Sequence, residues 1–344
     1  MHAGWSPILS LSGGALEHGT SSESKVNMMQ PDHQRFESAE MKSMETVACN
    51  NCGCPDTLLL HKFRLEPESQ DCFVVRCSRC GLVYLNPRPS RDRIGIYYPP
   101  NYQANMLNLL GKGKTNVIAR LGFGMVRRRR TPSKKTGRLL DVGCSNGAYL
   151  AAMREKGWDV EGVELDGDAV EYARNSRSLK VTQGYVEEAL GQLAGSNFDV
   201  VTMWHVLEHV FDPAAALKQI HRVLKPGGAV MLEVPNYASP LVSLFKRYWF
   251  PMDIPRHLYQ FTPASIKTML TRAGFKSIQV KGVPSPEAIV WSAAAARQAS
   301  PIDFNNGDIL RLNPLGMSLA FPVSWVMAQF VMSDHMAAVA VRGD

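Results

Sequence analysis

One stretch, Leu139-Leu140-Asp141-Val142-Gly143-Cys144-Ser145-Asn146-Gly147-Ala148-Tyr149-Leu150, constrains this chain more than any other. Its first four residues suit a short buried strand, its two glycines a tight turn, and Ala148 onward the first turn of a helix. Glycine lets backbone come close to a bound molecule where a side chain would block the approach. The helix start behind it offers N–H groups that lack intrahelical partners. This combination suits an adenosyl or nucleotide ligand.

Downstream, strand-like and helical patterns alternate. Val160 to Glu164 reads as a strand, Asp168 to Arg177 as a helix, Leu179 to Thr182 as a short strand and Phe198 to Met203 as another. A helix is expected from Pro213, whose missing N–H is no loss at a first helical position, to Leu224. Lys225-Pro226-Gly227-Gly228 then stops it. Ala229 to Val234 is the next strand. Residues 235–261 form an aromatic-rich insertion, Thr262-Pro263 opens a helix, and Ser277 to Lys281 follows as a strand. Residues 283–333 form a second insertion, and Met336 to Val341 a last strand. The alternation predicts a parallel sheet with helices on both faces, with ligands at the carboxyl ends of its strands.

Leu312 to Ser333 carries no charged residue and is long enough to span a bilayer. Pro314 and Pro322 interrupt it, and the strand after it has to rejoin the sheet. A lid, a dimer face or shallow peripheral membrane contact through 312–333 fits better than a span.

Six of the seven cysteines fall between Cys49 and Cys80. Cys49-Asn50-Asn51-Cys52-Gly53 and Cys77-Ser78-Arg79-Cys80-Gly81 are matched knuckles, and four thiolates so arranged suit a closed tetrahedral Zn²⁺ site. Cys54 and Cys72 are spare and able to replace a ligand. Strands on either side of the second knuckle give a zinc ribbon over residues 47–90. Pro87, Pro89, Pro99 and Pro100 lead into a linker and helical region at 91–136.

Apolar residues make up 45% of the chain, enough for a core, and the formal charge of +7 fits an anionic partner. Part of that charge is local, in Arg127-Arg128-Arg129-Arg130 with Lys134, Lys135 and Arg138. Residues 1–46 are polar, lack the pattern of a secretory leader and are expected to be a disordered tail; Met28, Met29, Met41 and Met44 are alternative starts. The expected location is cytoplasmic, with or without membrane association.

Five motifs follow one another over residues 137–282: Asp141-x-Gly143-x-x-x-Gly147, Val163-Glu164-Leu165-Asp166, Phe198-Asp199-Val200-Val201, Leu207-Glu208-His209 and Val223-Leu224-Lys225-Pro226-Gly227-Gly228. In this order they resemble the class I S-adenosylmethionine-dependent methyltransferases. The knuckles, with Cys80-Gly81-Leu82-Val83-Tyr84 and Asn86-Pro87-Arg88-Pro89, are similar to the zinc-bearing N-terminal part of one subgroup, which includes sugar methyltransferases. The resemblance implies an α/β fold, a Rossmann-like seven-stranded methyltransferase sheet over 137–344 with a small N-terminal zinc ribbon. It implies S-adenosylmethionine contacts from Asp141, Gly143, Cys144, Ser145 and Gly147 in the turn and from Glu164 to the ribose hydroxyls. Leu165, Asp166 and Glu187 are expected around the adenosine, and Trp204 near the sulfonium, where an aromatic face attracts a cation. Ser145 stands where the family often has a third glycine.

Methyl transfer needs donor and acceptor held at near-attack distance, and a hydroxyl acceptor gains from a general base such as histidine. His205, just after the fourth strand of the domain, and His257, in the aromatic insertion, are the candidate bases. His209 is expected to cap or pack. Sugar carbon-methylating relatives carry a Tyr three residues before the second of these; Ile254 stands there, which favours O-methylation. The expected acceptor is a small molecule, a sugar or a lipid-linked glycan, and a homodimer is an option. An RNA methyltransferase using the ribbon and basic run is a second reading. Trp204-His205-Val206-Leu207 counts against it, because it replaces the Asn/Asp-Pro-Pro-Tyr/Phe segment of nucleic-acid amino-group methylators. A non-catalytic cofactor-binding module is a third, opposed by the intact Gly turn and Glu164.

Overall fold

Leu139, Leu140, Val142, Val163, Val201, Val230 and Leu232 are all buried, the mark of strands covered on both faces. The computed structural model describes residues 43–98, 132, 136–193, 195, 197–298 and 314–343. The expected tail up to residue 42, the run Arg127 to Arg130 and residues 299–313 of the second insertion lie outside these residues.

Strand β1 (Met44–Glu45) is followed by β2 (Thr57–Leu65), β3 (Gln70–Cys77), β4 (Val83–Leu85) and β5 (Arg88–Pro89). β1 pairs antiparallel with β5, so paired strand begins ahead of residue 47, inside the stretch expected to be tail. β2, β3 and β4 form an antiparallel sheet, and the two cysteine knuckles sit at its end.

The chain then alternates as expected, with one helix, α3, beyond those read from the sequence: β6 (Arg138–Val142), α1 (Ala148–Arg154), β7 (Asp159–Glu164), α2 (Gly167–Arg177), β8 (Lys180–Gln183), α3 (Val186–Gln192), β9 (Phe198–Trp204), α4 (Pro213–Val223) and β10 (Leu224–Pro235). Asp166 caps α2 by accepting from Ala169 N–H, and Asp212 caps α4 in the same way with Pro213 behind it. The turn expected at 225–228 is part of β10. Leu224 already pairs with Phe198, and an irregularity before Ala229 absorbs the glycines.

The rest comprises α5 (Pro240–Phe245), β11 (Tyr259–Gln260), α6 (Pro263–Arg272), β12 (Phe275–Val283), α7 (Pro286–Gln298), α8 (Pro314–Gln329) and β13 (His335–Arg342). The central sheet has seven strands in the order β12-β13-β10-β9-β6-β7-β8. β13 runs antiparallel to both of its neighbours, and the other pairs from β10 to β8 are parallel. The last strand therefore returns to the sheet as expected.

The first insertion does more than interrupt the domain. β11 pairs with β4, Tyr259 opposite Tyr84, and extends the cysteine-bearing sheet. The two rings stack with centroids 6.4 Å apart. The N-terminal part is thus built with residues more than 170 positions away, rather than standing as a separate ribbon. Among the described residues no helix is long and apolar enough to cross a membrane. α8 leaves Leu315, Leu319 and Val323 exposed.

Candidate functional site

The turn after β6 holds three left-handed residues, Gly143 (φ 74°), Ser145 (φ 49°) and Gly147 (φ 75°). A Cβ on Gly143 would meet Val206 Cγ2 at 2.3 Å, and one on Gly147 would meet Leu179 Cδ1 at 2.3 Å. Ser145 adopts the backbone that explains why a glycine suits its position. Its N–H donates to Glu164 Oε2 at 2.7 Å. Glu164 Oε1 accepts from Leu165 N–H at 2.8 Å and Asp166 N–H at 3.0 Å. A buried carboxylate at the end of β7 thus locks the Gly turn of β6 to the next strand's exit. Asp141 is buried and accepts from Thr202 Oγ1 at 2.6 Å, which ties β6 to β9 below the same turn.

The other expected cofactor residues divide. Leu165 is 51% exposed at the rim, an apolar ledge beside Glu164. Trp204 lies edge-on to Tyr149, centroids 5.7 Å apart; Tyr149 is a rim residue that the motifs did not flag. The Cys144 thiol lies 3.7 Å from Ser145 O within the turn. This thiol is buried, packed where a Cβ on Gly162 would lie 2.6 Å from it, and burial pushes its pKa up. Asp166 spends its side chain capping α2. Glu187 accepts from Asp212 N–H at 3.0 Å and pairs with Arg91 at 3.4 Å, so its carboxylate holds the start of α4.

The two candidate bases part company. His205 sits just past β9 with φ 56° and is 33% exposed. Its Nε2 is 3.0 Å from Glu233 Oε1, and its Nδ1 is 3.5 Å from Glu208 Oε1. Burial alone would lower its pKa, but the adjacent Glu208 and Glu233 carboxylates outweigh this and raise it to about 9. His257 is 9% exposed. Its Nδ1 is 2.8 Å from Pro251 O, and its ring packs 4.6 Å from that of His209. This ring is buried and packed against the interior. His209 packs as expected, its Nδ1 2.9 Å from Arg256 O and 3.1 Å from Tyr98 Oη. Burial, and then the nearby His257, push it down to about 4.

Cys49, Cys52, Cys77 and Cys80 bring their sulfurs within 4.8 Å of one another. Cys49 and Cys80 Sγ are 3.4 Å apart, and Cys52 and Cys77 Sγ 3.5 Å. Four sulfurs at about 2.3 Å from a tetrahedral zinc stand roughly 3.8 Å apart, so the donor set fits that ion. Gly53 and Gly81 close the knuckles with φ near 70° (69° and 74°). Cys54 and Cys72 stand outside the cluster.

The profile of the Methyltransferase domain family matches residues 118–280. A Ubiquinone biosynthesis O-methyltransferase from Paraburkholderia phymatum is 30% identical over 156 residues, which is 42% of this chain and 67% of that protein. Proteins of the same name from Idiomarina loihiensis and Alkalilimnicola ehrlichii are 31% and 35% identical, over 42% and 37% of this chain and 64% and 50% of their own lengths. The chain thus spans about half to two thirds of the curated relatives it matches. A solved S-adenosylmethionine-dependent methyltransferase from Archaeoglobus fulgidus is 20% identical with a TM-score of 0.47, covering 69% of this chain and 98% of that one.

Proposed function

We propose, from the premise that this chain belongs to the methyltransferase-domain family, that it moves a methyl group from S-adenosylmethionine to a hydroxyl oxygen of a small acceptor. One observation carries this reading. The left-handed Gly143–Gly147 turn and the buried Glu164 are joined through Ser145 N–H at the carboxyl ends of β6 and β7, and His205 leaves the adjacent β9.

The turn would take the methionine end of the cofactor. Glu164 would take the ribose, since Oε2 carries one N–H here and a carboxylate oxygen can accept more. Leu165 would border the adenosine, and Trp204 with Tyr149 the methyl end. Once bound, the cofactor supplies a methyl carbon already activated by its sulfonium. The protein's own work is to orient the acceptor, exclude water and hold a proton. His205 is the candidate at hand for the last, held between Glu233 and Glu208; because these carboxylates favour its protonated form, it takes up the acceptor's proton only at alkaline pH. The O-methyltransferase names of the relatives support a hydroxyl acceptor. The cysteine cluster would hold a structural Zn²⁺ with no open position.

The test supplies labelled S-adenosylmethionine to the purified full chain with separate small-molecule, glycan, lipid and RNA fractions. Label in a hydroxylated small molecule, glycan or lipid supports the reading. Label confined to RNA, or no cofactor binding at all, overturns it.

A further inference from the structure

Strands β9, β10 and β13 lie side by side, and each delivers one metal-ligating side chain at the same level. His205 follows the last residue of β9, Glu233 lies near the end of β10, and His335 opens β13. Pro235 stands opposite His335 in the antiparallel pair. Glu233, two residues before Pro235, therefore shares a face of the sheet with His335. The left-handed backbone of His205 swings its ring back to Glu233, with Nε2 3.0 Å from Oε1. The two imidazoles meet edge to face, centroids 4.8 Å apart and planes at 64°. One ligand atom from each of the three residues lies within 4.8 Å of the other two.

We propose that His205, Glu233 and His335 form a binding site for a first-row divalent cation of the zinc class. Two imidazoles and one carboxylate are the donor set of sites that keep a coordination position for water or substrate. Glu233 is buried, whereas His205 and His335 are half-buried, so the cation sits at the rim with its remaining position toward solvent. Glu287 Oε1 lies 3.9 Å from His335 Nδ1 and steadies that ring from outside the donor set. The cation takes the place of the proton between His205 and Glu233, so His205 is a ligand in the metal-loaded chain and serves as the base only in the metal-free one. An acceptor oxygen in the open position would be polarised by the cation. That last role rests on the proposed methyl transfer; the binding itself does not.

The experiment counts zinc per chain in the full-length protein after dialysis against Zn²⁺ and removal of loosely held ion. Two zincs are expected in the wild type, one in Glu233→Gln, one in His335→Gln, and one in Cys77→Ser/Cys80→Ser. His257→Asn, in the neighbouring buried cluster of Glu208, His209 and His257, is expected to keep both. Far-ultraviolet circular dichroism without added metal checks that each variant is folded. One zinc in the wild type, lost only in the cysteine variant, overturns the proposal. So does a second zinc lost in His257→Asn but kept in His335→Gln. A single zinc lost in His335→Gln but kept in the cysteine variant supports the site and removes zinc from the cysteine cluster. Methyl transfer is scored separately with labelled cofactor, so its failure is distinguishable from failure to bind the ion.

Discussion

Asn50, inside the first cysteine knuckle, donates through Nδ2 to Asp212 Oδ1 at 2.8 Å. Its Oδ1 accepts from Ala214 N–H at 2.9 Å, so one side chain engages the start of α4 twice. Asp212 in turn donates its N–H to Glu187. The knuckle is thereby tied to the start of α4. Asn50→Ala should destabilise the chain by about 1–2 kcal/mol, read as a lower midpoint in urea. Chelation should speed hydrogen exchange in the first turn of α4 as well as in the two knuckles. Unchanged exchange in α4 would show that the knuckle supports nothing beyond itself.

Gly143 faces Val206 so closely that a Cβ would stand 2.3 Å from its Cγ2. The positive φ adds a cost of roughly 1–2 kcal/mol for any other residue. Gly143→Ala should lower S-adenosylmethionine affinity at least tenfold, measured by calorimetry. Adding Val206→Ala should recover part of the loss by removing the clash but not the backbone strain. Equal affinity in Gly143→Ala and wild type would detach this turn from the cofactor.

Glu164 accepts from three backbone N–H groups, those of Ser145, Leu165 and Asp166. Glu164→Ala leaves these donors without their carboxylate, and each buried loss costs about 1–3 kcal/mol where water does not replace it. Both melting temperature and cofactor affinity should fall. A variant that melts lower yet binds cofactor normally would make Glu164 a structural clamp only.

His205→Asn and His257→Asn should separate chemistry from packing. The first should cut methyl transfer by roughly 10²–10⁴ with cofactor affinity within about twofold. The second removes a buried ring bonded to Pro251 O and should act mainly on the melting temperature. The reverse pattern, read from initial rates and calorimetric affinity, would exchange their roles.

His209 carries the pH prediction. Its folded pKa of about 4 lies below an unfolded value near ~6.5, so between these values the unfolded chain binds more protons. The contribution to stability is complete above the unfolded value and declines as pH falls toward about 4. The slope from this one group is at most about 1.4 kcal/mol per pH unit. Denaturant melts at pH 7 and pH 5 should show the decline, and His209→Gln should flatten it. Parallel slopes in the two proteins would mean that His209 is not held neutral.

The sequence by itself determined the alternating pattern from β6 to β10, the Gly turn and the four-cysteine set, because each is local. Strand and helix periodicity, a residue able to adopt positive φ, and two thiols at one tight turn are properties of a few neighbouring positions. Tertiary structure decided what depends on distant residues. Tyr259 joining Tyr84 in the cysteine-bearing sheet, Asn50 capping α4 through Asp212, and His335 arriving beside His205 and Glu233 are contacts across long separations. The same holds for the candidate bases. His205 and His257 have similar chemistry in one dimension. Packing buried one ring against His209 and left the other at the carboxyl edge between two carboxylates, because burial and partners are set by the whole fold and not by residue type.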